Sequence, residues 1–292
     1  MKPLRQRLEA VRKQRGIPWH ILERDYALSW VLVGLAEVPR LREQLVFKGG
    51  TALKKCYFGD YRFSEDLDFS ALPGAFIGSE LEAALEALCS AAVIQARPFV
   101  PLELTCERYI EKEPHPEEQD AFVITARLPW HTSARFRTRV SIEITRVEKM
   151  LWPIEERSIL HDYGEPVNQS VQAYALEEIV AEKLRAILQH QERFQARHWT
   201  RSRARDYYDL WRILSSPRMV IDPTGFIERL HEKCIARGVD FAGPQSFFEA
   251  SMLSFVERTW TNWLGDLVFP LPPFVQVIEE LRPRVFATLS PK

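Results

Sequence analysis

Apolar residues recur at helical spacing over the first 45 positions. Leu4, Leu8 and Val11 are separated by three or four residues, and a denser apolar pattern covers residues 21–35. This spacing predicts helices that each bury one face. A short apolar piece follows at residues 45–47. The chain therefore begins with helices.

Alternation of apolar and polar residues predicts strands further along the chain. Residues 66–70 (DLDFS) alternate, and so do residues 137–146, where Val140, Ile142 and Ile144 share one side. Two more strands are predicted at residues 100–109 and 121–128, and a helix rich in alanine and leucine at 79–95. The helices predicted for the second half are 175–191, 203–214, 226–235, 247–264 and 273–281.

The order of these elements predicts an α+β fold with two parts. Residues 1–170 contain the N-terminal helices and a mixed sheet with flanking helices, and residues 171–292 form a helical C-terminal lobe. A chain of 292 residues is long enough for two domains or for one unit with two lobes.

Composition and charge indicate an ordinary globular protein. Hydrophobic residues make up 46% of the chain and charged residues 27%, which argues against disorder. The net charge of −1 means that any binding of polyanions must come from local patches. The basic start of the chain has no apolar core segment, and no apolar run approaches the ~20 residues of a membrane span. We therefore expect a cytoplasmic protein without a membrane partner.

Two aspartates within the DLDFS segment are the strongest candidates for chemistry. In a strand, Asp66 and Asp68 project from the same face, and two such carboxylates repel each other unless a cation lies between them. Paired carboxylates suit Mg²⁺ or Mn²⁺. Glu143, on the polar side of segment 137–146, is a tentative third ligand if the two strands are neighbours. The alternative is a solvated strand with two surface acids.

A glycine pair upstream of the aspartates predicts a site for phosphate groups. The Gly-Gly-Thr sequence at 49–51 follows a short apolar segment and opens a helix, where backbone N–H groups are unpaired. A tight turn without a ligand is the alternative. The predicted nucleotide-binding residues are Gly49, Gly50, Thr51, Lys55, Arg62 and Ser64.

Two charged residues of the helical half fall on apolar faces. Lys183 lies four residues from both Ile179 and Ile187, so its side chain points with the apolar stripe. Asp206, four residues before Leu210, leans inward in the same way. A lysine in such a place pairs with an acid, contacts a phosphate or extends its ammonium group to solvent.

Arginines and aromatic residues are interleaved between these two helices. Guanidinium groups suit phosphate oxygens and aromatic rings suit bases, so the segment predicts an RNA-binding patch. The alternative is a solvated helix extension. The predicted RNA-binding residues are Arg193, Arg197, Trp199, Arg201 and Arg203.

Four motifs resemble the AbiEii/MenT branch of nucleotidyltransferase-fold toxins of type IV-like toxin–antitoxin systems. They are FKGGTALKK, YRFSEDLDFS, ALEEIVAEKLRAIL and ARDYYDLWRIL, in this order between about residues 47 and 214. The resemblance implies a nucleotidyltransferase that adds nucleotides from a nucleoside triphosphate to an RNA acceptor, with the tRNA 3′ end as the precedent, and a cognate antitoxin.

The resemblance also assigns roles to particular residues. It implies that Asp66, Asp68, Lys183 and Asp206 are catalytic, with Lys183 as a triphosphate contact and Asp206 as its support or as a second-site acid. It further implies that phosphorylation of Ser64 would disable the site. Two other functions stay open: a nucleotide-binding interaction protein without transfer activity, and a metal-dependent nuclease. A protein kinase is disfavoured, because no HRD or DFG motif is present.

Overall fold

The computed structural model describes residues 1–109, 119–132, 137–197 and 201–290. The chain forms two compact units. The first consists of Met1–Glu148 and Ile154–Tyr174, and the second of Lys149–Pro153 and Ala175–Lys292. Helices and a mixed sheet in the described ranges confirm the predicted α+β class.

The first unit contains the N-terminal helices and one seven-stranded sheet, counted over the described residues. Its helices are α1 (Leu4–Arg15), α2 (Trp19–Glu37), α3 (Pro39–Gln44), α4 (Gly49–Ala52) and α5 (Gly78–Ala96), and α4 continues into a π-helical turn, Leu53–Tyr57. Helix α2 is buried along most of its length, because residues 26–33 are apolar on nearly every side.

The sheet follows the order β3-β4-β5-β2-β1-β7-β6. Its strands are β1 (Leu45–Lys48), β2 (Asp66–Ala71), β3 (Glu103–Arg108), β4 (Gln119–Arg127), β5 (Thr138–Thr145), β6 (Glu155–Ser158) and β7 (Ser170–Ala173). Strand β2 is parallel to β5 and antiparallel to β1, and β1 is parallel to β7. The predicted strands at 66–70 and 137–146 are therefore adjacent at the centre of the sheet, and the short apolar piece at 45–47 forms β1 on the other side of β2.

The second unit is helical. Its helices are α6 (Leu176–Arg197), α7 (Ala204–Ser215), α8 (Phe226–Ala236), α9 (Ala250–Leu264) and α10 (Phe274–Thr288), with a 3-10 turn at Pro244–Phe248. The division between the units falls after Tyr174 and not after residue 170, because β7 belongs to the sheet. Within the described ranges, no helix combines the length and apolar character that a membrane span requires.

A buried ion pair fixes a separate piece of chain in the second unit. Glu178 of α6 and Lys233 of α8 form a salt bridge, and both are about 1% exposed. Glu178 also accepts the backbone N–H groups of Leu151 and Trp152 at 2.7 and 2.9 Å. The segment Lys149–Pro153 is thus held by side chains of the helical unit, although the chain returns to the sheet at Ile154.

Candidate active site

Asp66 and Asp68 lie on the same face of β2. Both carboxylates are partly exposed, whereas Leu67 and Phe69 are buried on the opposite face. Alternation along the strand produces this arrangement, since successive side chains point to opposite faces. The two carboxylates therefore stand on one side of a central strand, where a shared cation would reduce their repulsion.

Gly49 opens α4 directly beside the aspartates. Strand β1 pairs with β2 so that Lys48 faces Asp68, and the next residue begins the helix. Gly49 has φ +77°, and a Cβ atom there would lie 2.5 Å from Oδ2 of Asp68. A side chain at this position would be strained by the backbone and would also displace the carboxylate.

Gly50 leaves space for a guanidinium group. A Cβ atom on Gly50 would collide with Nη2 of Arg62, which is 4% exposed. Nη1 of Arg62 donates to the carbonyl of Phe63 at 3.1 Å. Arg62 thus packs on the start of α4 and orders the segment before Asp66. The glycine requirement has a structural cause in addition to the predicted approach of a phosphate.

Two hydroxyl groups hold Asp66 in place. The buried Thr51 side chain donates to the backbone carbonyl of Asp66, so it neither caps its own helix nor offers its hydroxyl to a phosphate. Ser64 donates to Oδ1 of the same aspartate at 3.3 Å. Ser64 is only 2% exposed, so its phosphorylation requires that segment 58–65 moves outward. Ser64 thus positions the carboxylate of Asp66, and Thr51 holds its backbone.

Lys55 belongs to a buried network of the first unit. Its ammonium group donates to Oδ2 of Asp25 at 2.8 Å, to the Asp25 carbonyl at 3.2 Å and to Ser29 at 2.9 Å. Tyr163 donates to the same carboxylate oxygen at 2.7 Å. This placement contradicts the prediction that Lys55 contacts the triphosphate, because its three N–H donors are used inside the core.

The charges in this network shift one another's protonation. Burial alone would raise the pKa of Asp25, but the positive charges of Lys54 and Lys55 hold it below its usual value. Burial lowers the pKa of Lys55, which the negative charge of Asp25 opposes. The signal in the sequence was the spacing of Asp25 and Ser29, two polar residues one helical turn apart in an apolar helix.

Glu143 lies on the strand next to the aspartates. Strand β5 pairs with β2 in a register that places Glu143 beside Asp68, so the predicted neighbourhood of the two strands is present. The exposed Glu143 carboxylate accepts a hydrogen bond from Gln119 at 2.6 Å. Among the described residues, no group of three or more His, Cys, Asp or Glu side chains is arranged to hold a metal. Glu143 stays a predicted ligand that would have to turn away from Gln119.

Lys183 lies in a buried acidic pair within the second unit. Its ammonium group is 3.0 Å from Oδ1 of Asp206 and 2.7 Å from Oδ2 of Asp209, and Asp209 is fully buried. Arg203 also contacts Asp206, at 3.2 Å. Burial would raise the pKa of Asp206, but Lys183 and Arg203 hold it below its usual value. Asp206 therefore supports Lys183, and Asp209 is a second support.

The predicted RNA-binding residues occupy different surroundings. Arg193 and Arg201 are exposed, and the guanidinium of Arg201 lies 5.3 Å from the ring centroid of Trp263. Arg203 is used in the ion pair with Asp206. Trp199 and the side chain of Arg197 lie outside the described residues. No role was predicted for Trp263, and its contact with Arg201 depends on the fold of α9.

Comparison with known proteins bears on the identity of this chain. No curated protein sequence matches it. The family model described as the nucleotidyl transferase AbiEii toxin of a type IV toxin–antitoxin system matches residues 30–286 of the 292. That range includes Gly49, Asp66 and Asp68 of the first unit and Lys183 of the second. The chain therefore belongs to the AbiEii nucleotidyltransferase toxin family, and it is an enzyme of that kind.

Proposed function

We propose that this chain adds a nucleotide from a nucleoside triphosphate to an RNA acceptor, the tRNA 3′ end, in a reaction that requires a divalent metal ion. Nucleotidyl transfer itself follows from the family. The metal-dependent form is supported by the placement of Asp66 and Asp68 on one face of β2, with Asp68 directly against Gly49.

The side chains at this face suit Mg²⁺ or Mn²⁺. Asp66 and Asp68 supply hard oxygen ligands. The Asp68 carboxylate can take its position because Gly49 has no side chain. The two aspartates would hold the ion, which when bound neutralises charge on the phosphates. The hydrogen bond from Ser64 keeps Asp66 oriented. Glu143 is the tentative third ligand.

Phosphate binding is assigned to the backbone at the glycine pair. Gly49 and Gly50 carry no side chain that would keep a phosphate away from the main-chain N–H groups. Arg62 and Ser64 keep the adjacent loop in place. Lys183 remains a triphosphate contact by family resemblance, and Asp206 and Asp209 give its ammonium group a defined position.

The partners follow from the family and from the charged surface. The family implies a nucleotide substrate and an antitoxin that neutralises the toxin. Arg193 and Arg201 are exposed and remain proposed RNA contacts. We assign the reaction to the cytoplasm, where tRNA is found.

Transfer of label from each of four α-labelled nucleoside triphosphates to total tRNA tests the proposal. Asp66→Asn keeps the size of the side chain and removes its charge, and it should lower transfer by at least ~100-fold. Glu103→Gln is the matched control, since this exposed glutamate also lies on a strand of the same sheet. Chelation of divalent ions should abolish transfer by the parent protein.

Size analysis of the treated RNA separates the alternatives. Lengthened tRNA supports nucleotidyl transfer. Shortened fragments that depend on Asp66 would indicate a metal-dependent nuclease and would overturn the proposal. Nucleotide binding without any change in the RNA would indicate an interaction protein. Label on an acceptor other than tRNA would keep the reaction and correct the acceptor.

A further inference from the structure

A groove of about 780 Å³ lies along α1 at the start of α2. It is lined by Pro3, Arg5, Gln6, Glu9, Arg12 and Trp19. The size is within the range of ligand-binding clefts. All of these residues precede residue 30, where the match to the family model begins. The groove therefore lies outside the part of the chain that the family model matches.

The helix beside this groove is strongly basic. Residues 1–16 contain six basic residues and one acid, Glu9, in a chain whose net charge is −1. Arg7 is used inside the unit, where it donates to Glu165 at 2.7 Å. Arg5 lines the groove and is exposed, and Lys2 and Lys13 are exposed nearby. Arg12 also lines the groove, but its guanidinium is paired with Glu9 at 2.8 and 2.9 Å. This local excess of positive charge suits a polyanion.

The aromatic wall of the groove is held in a fixed orientation. Nε1 of Trp19 donates to Glu23 at 2.6 Å, and the ring of Trp130 packs on Trp19 with the centroids 5.8 Å apart. Trp130 and His131 both bond to the same glutamate oxygen. Because its N–H is already used, Trp19 offers the groove a ring face and not a hydrogen-bond donor. A ring face suits the stacking of a base.

Two arginines near the groove contact segment 58–65, which directly precedes Asp66. Arg24 of α2 forms a salt bridge with Glu65, the residue before Asp66. Arg15, at the end of α1, donates to the carbonyl of Gly59 at 3.4 Å. Both contacts are within the first unit. The basic helix α1 and the neighbouring helix α2 thus each make one contact with segment 58–65.

We propose that this groove binds a single-stranded part of the RNA acceptor. Arg5 contacts a phosphate, and a base stacks on Trp19. The proposal rests on the proposed function for its RNA partner and extends it to a surface of the first unit, whereas the predicted arginine patch belongs to the second unit. A guanidinium group together with an aromatic ring in one groove favours RNA over an acidic protein segment, because an acidic segment needs no surface for stacking.

Fluorescence anisotropy with a short labelled single-stranded RNA tests the proposal directly. The full-length Asp66→Asn protein is used, so that binding is measured without transfer. Arg5→Gln should weaken binding several-fold and lower the salt dependence of log K by about 0.7, the value of one lost phosphate contact on a single strand. Arg97→Gln is the control, because Arg97 is exposed in the same unit at the end of α5.

The role of Trp19 is tested with two substitutions. Trp19→Ala should weaken RNA binding by at least ~5-fold with little change in salt dependence, whereas Trp19→Phe keeps a ring and should retain most of the affinity. The thermal midpoint of each variant shows whether the fold is kept. Arg5 is exposed, so its substitution remains decisive even if Trp19→Ala is unstable.

The outcomes separate this proposal from the proposed function. If the RNA affinity of Arg5→Gln equals that of Arg97→Gln, the groove does not bind RNA, even if the parent protein transfers nucleotides to tRNA. If RNA binding depends on Arg5 but the protein transfers no label, the groove proposal stands and the proposed function is wrong. Loss of antitoxin binding in Arg5→Gln with unchanged RNA binding also overturns the proposal and assigns the groove to the antitoxin.

Discussion

The carboxylate of Asp68 occupies the place where a side chain on Gly49 would begin, with Oδ2 2.5 Å from the position of an added Cβ atom. The last residue of β1, Lys48, pairs with Asp68, so the glycine that opens α4 is forced against this carboxylate. The predicted metal ligand Asp68 and the predicted phosphate-binding residue Gly49 are therefore in direct contact.

Gly49→Ala should reduce nucleotide transfer by at least ~100-fold, because the added methyl group displaces the Asp68 carboxylate. Transfer of label to tRNA measures this. Gly74→Ala is the matched control: Gly74 has φ +82°, but an added Cβ would meet nothing within 4 Å. Both variants should lose about 1–2 kcal/mol of stability from left-handed backbone strain. Equal loss of transfer in the two variants would show that strain, and not the carboxylate, is responsible.

Lys55→Met should destabilise the first unit without changing the KM for the nucleotide in the protein that remains folded. Removing one partner of a buried ion pair leaves Asp25 charged and costs about 3–5 kcal/mol. Urea unfolding measures the loss, and the exposed Lys13→Met serves as the control. A raised KM with unchanged stability would instead restore Lys55 as a triphosphate contact.

The stability of the chain should fall in acid because of Glu165. Burial would raise the pKa of Glu165, but hydrogen bonds from His161, Arg7 and Tyr26 lower it to about 2, against 4.5 as its ordinary value. A lowered pKa stabilises the fold above pH 4.5, and this contribution is lost as the pH falls towards 2. It is at most about 3 kcal/mol, since one pKa unit corresponds to about 1.4 kcal/mol.

Urea unfolding between pH 5 and 2 checks the role of Glu165. We expect Glu165→Gln to be less stable than the parent at pH 5 and to change less as the pH falls. Glu103→Gln, at an exposed position of β3, should follow the parent curve. Parallel curves for Glu165→Gln and the parent would contradict the assignment.

Asp209→Asn should lower transfer by acting through Lys183. The fully buried Asp209 lies 2.7 Å from the lysine ammonium, and the substitution removes this negative charge while Asp206 is kept. We expect a reduced kcat together with a lower thermal midpoint. Glu257→Gln, at an exposed position of α9, is the control in the same unit. If kcat is unchanged while the midpoint falls, the aspartate is structural only.

The sequence predicted the central strands because their patterns are strong. In β5, Val140, Ile142 and Ile144 alternate with polar residues, and the structure buries these three side chains. Strands β6 and β7 were missed. The sequence of β6 is Glu-Glu-Arg-Ser, and nothing in it alternates, because an edge strand is held by backbone pairing with β7 and not by burial.

Partners distant in sequence explain the other differences. Lys55 follows a glycine-opened helix, which suggested a phosphate contact, but its carboxylate partner lies thirty residues earlier in α2. Glu178 is likewise buried against a partner distant in sequence, Lys233, fifty-five residues later. Local periodicity shows that a charged residue faces inward, but not which group neutralises it.

Glu178, which forms the salt bridge with Lys233, also binds backbone groups of a segment that comes earlier in the chain. The backbone crosses between the units three times, after Glu148, Pro153 and Tyr174. A fragment starting at Ala175 would keep the ion pair but lose the amides of Leu151 and Trp152 that complete it. During synthesis, the segment Lys149–Pro153 is made before β6, β7 and the helical unit, so the hydrogen bonds that complete Glu178 form only when this earlier segment returns to α6.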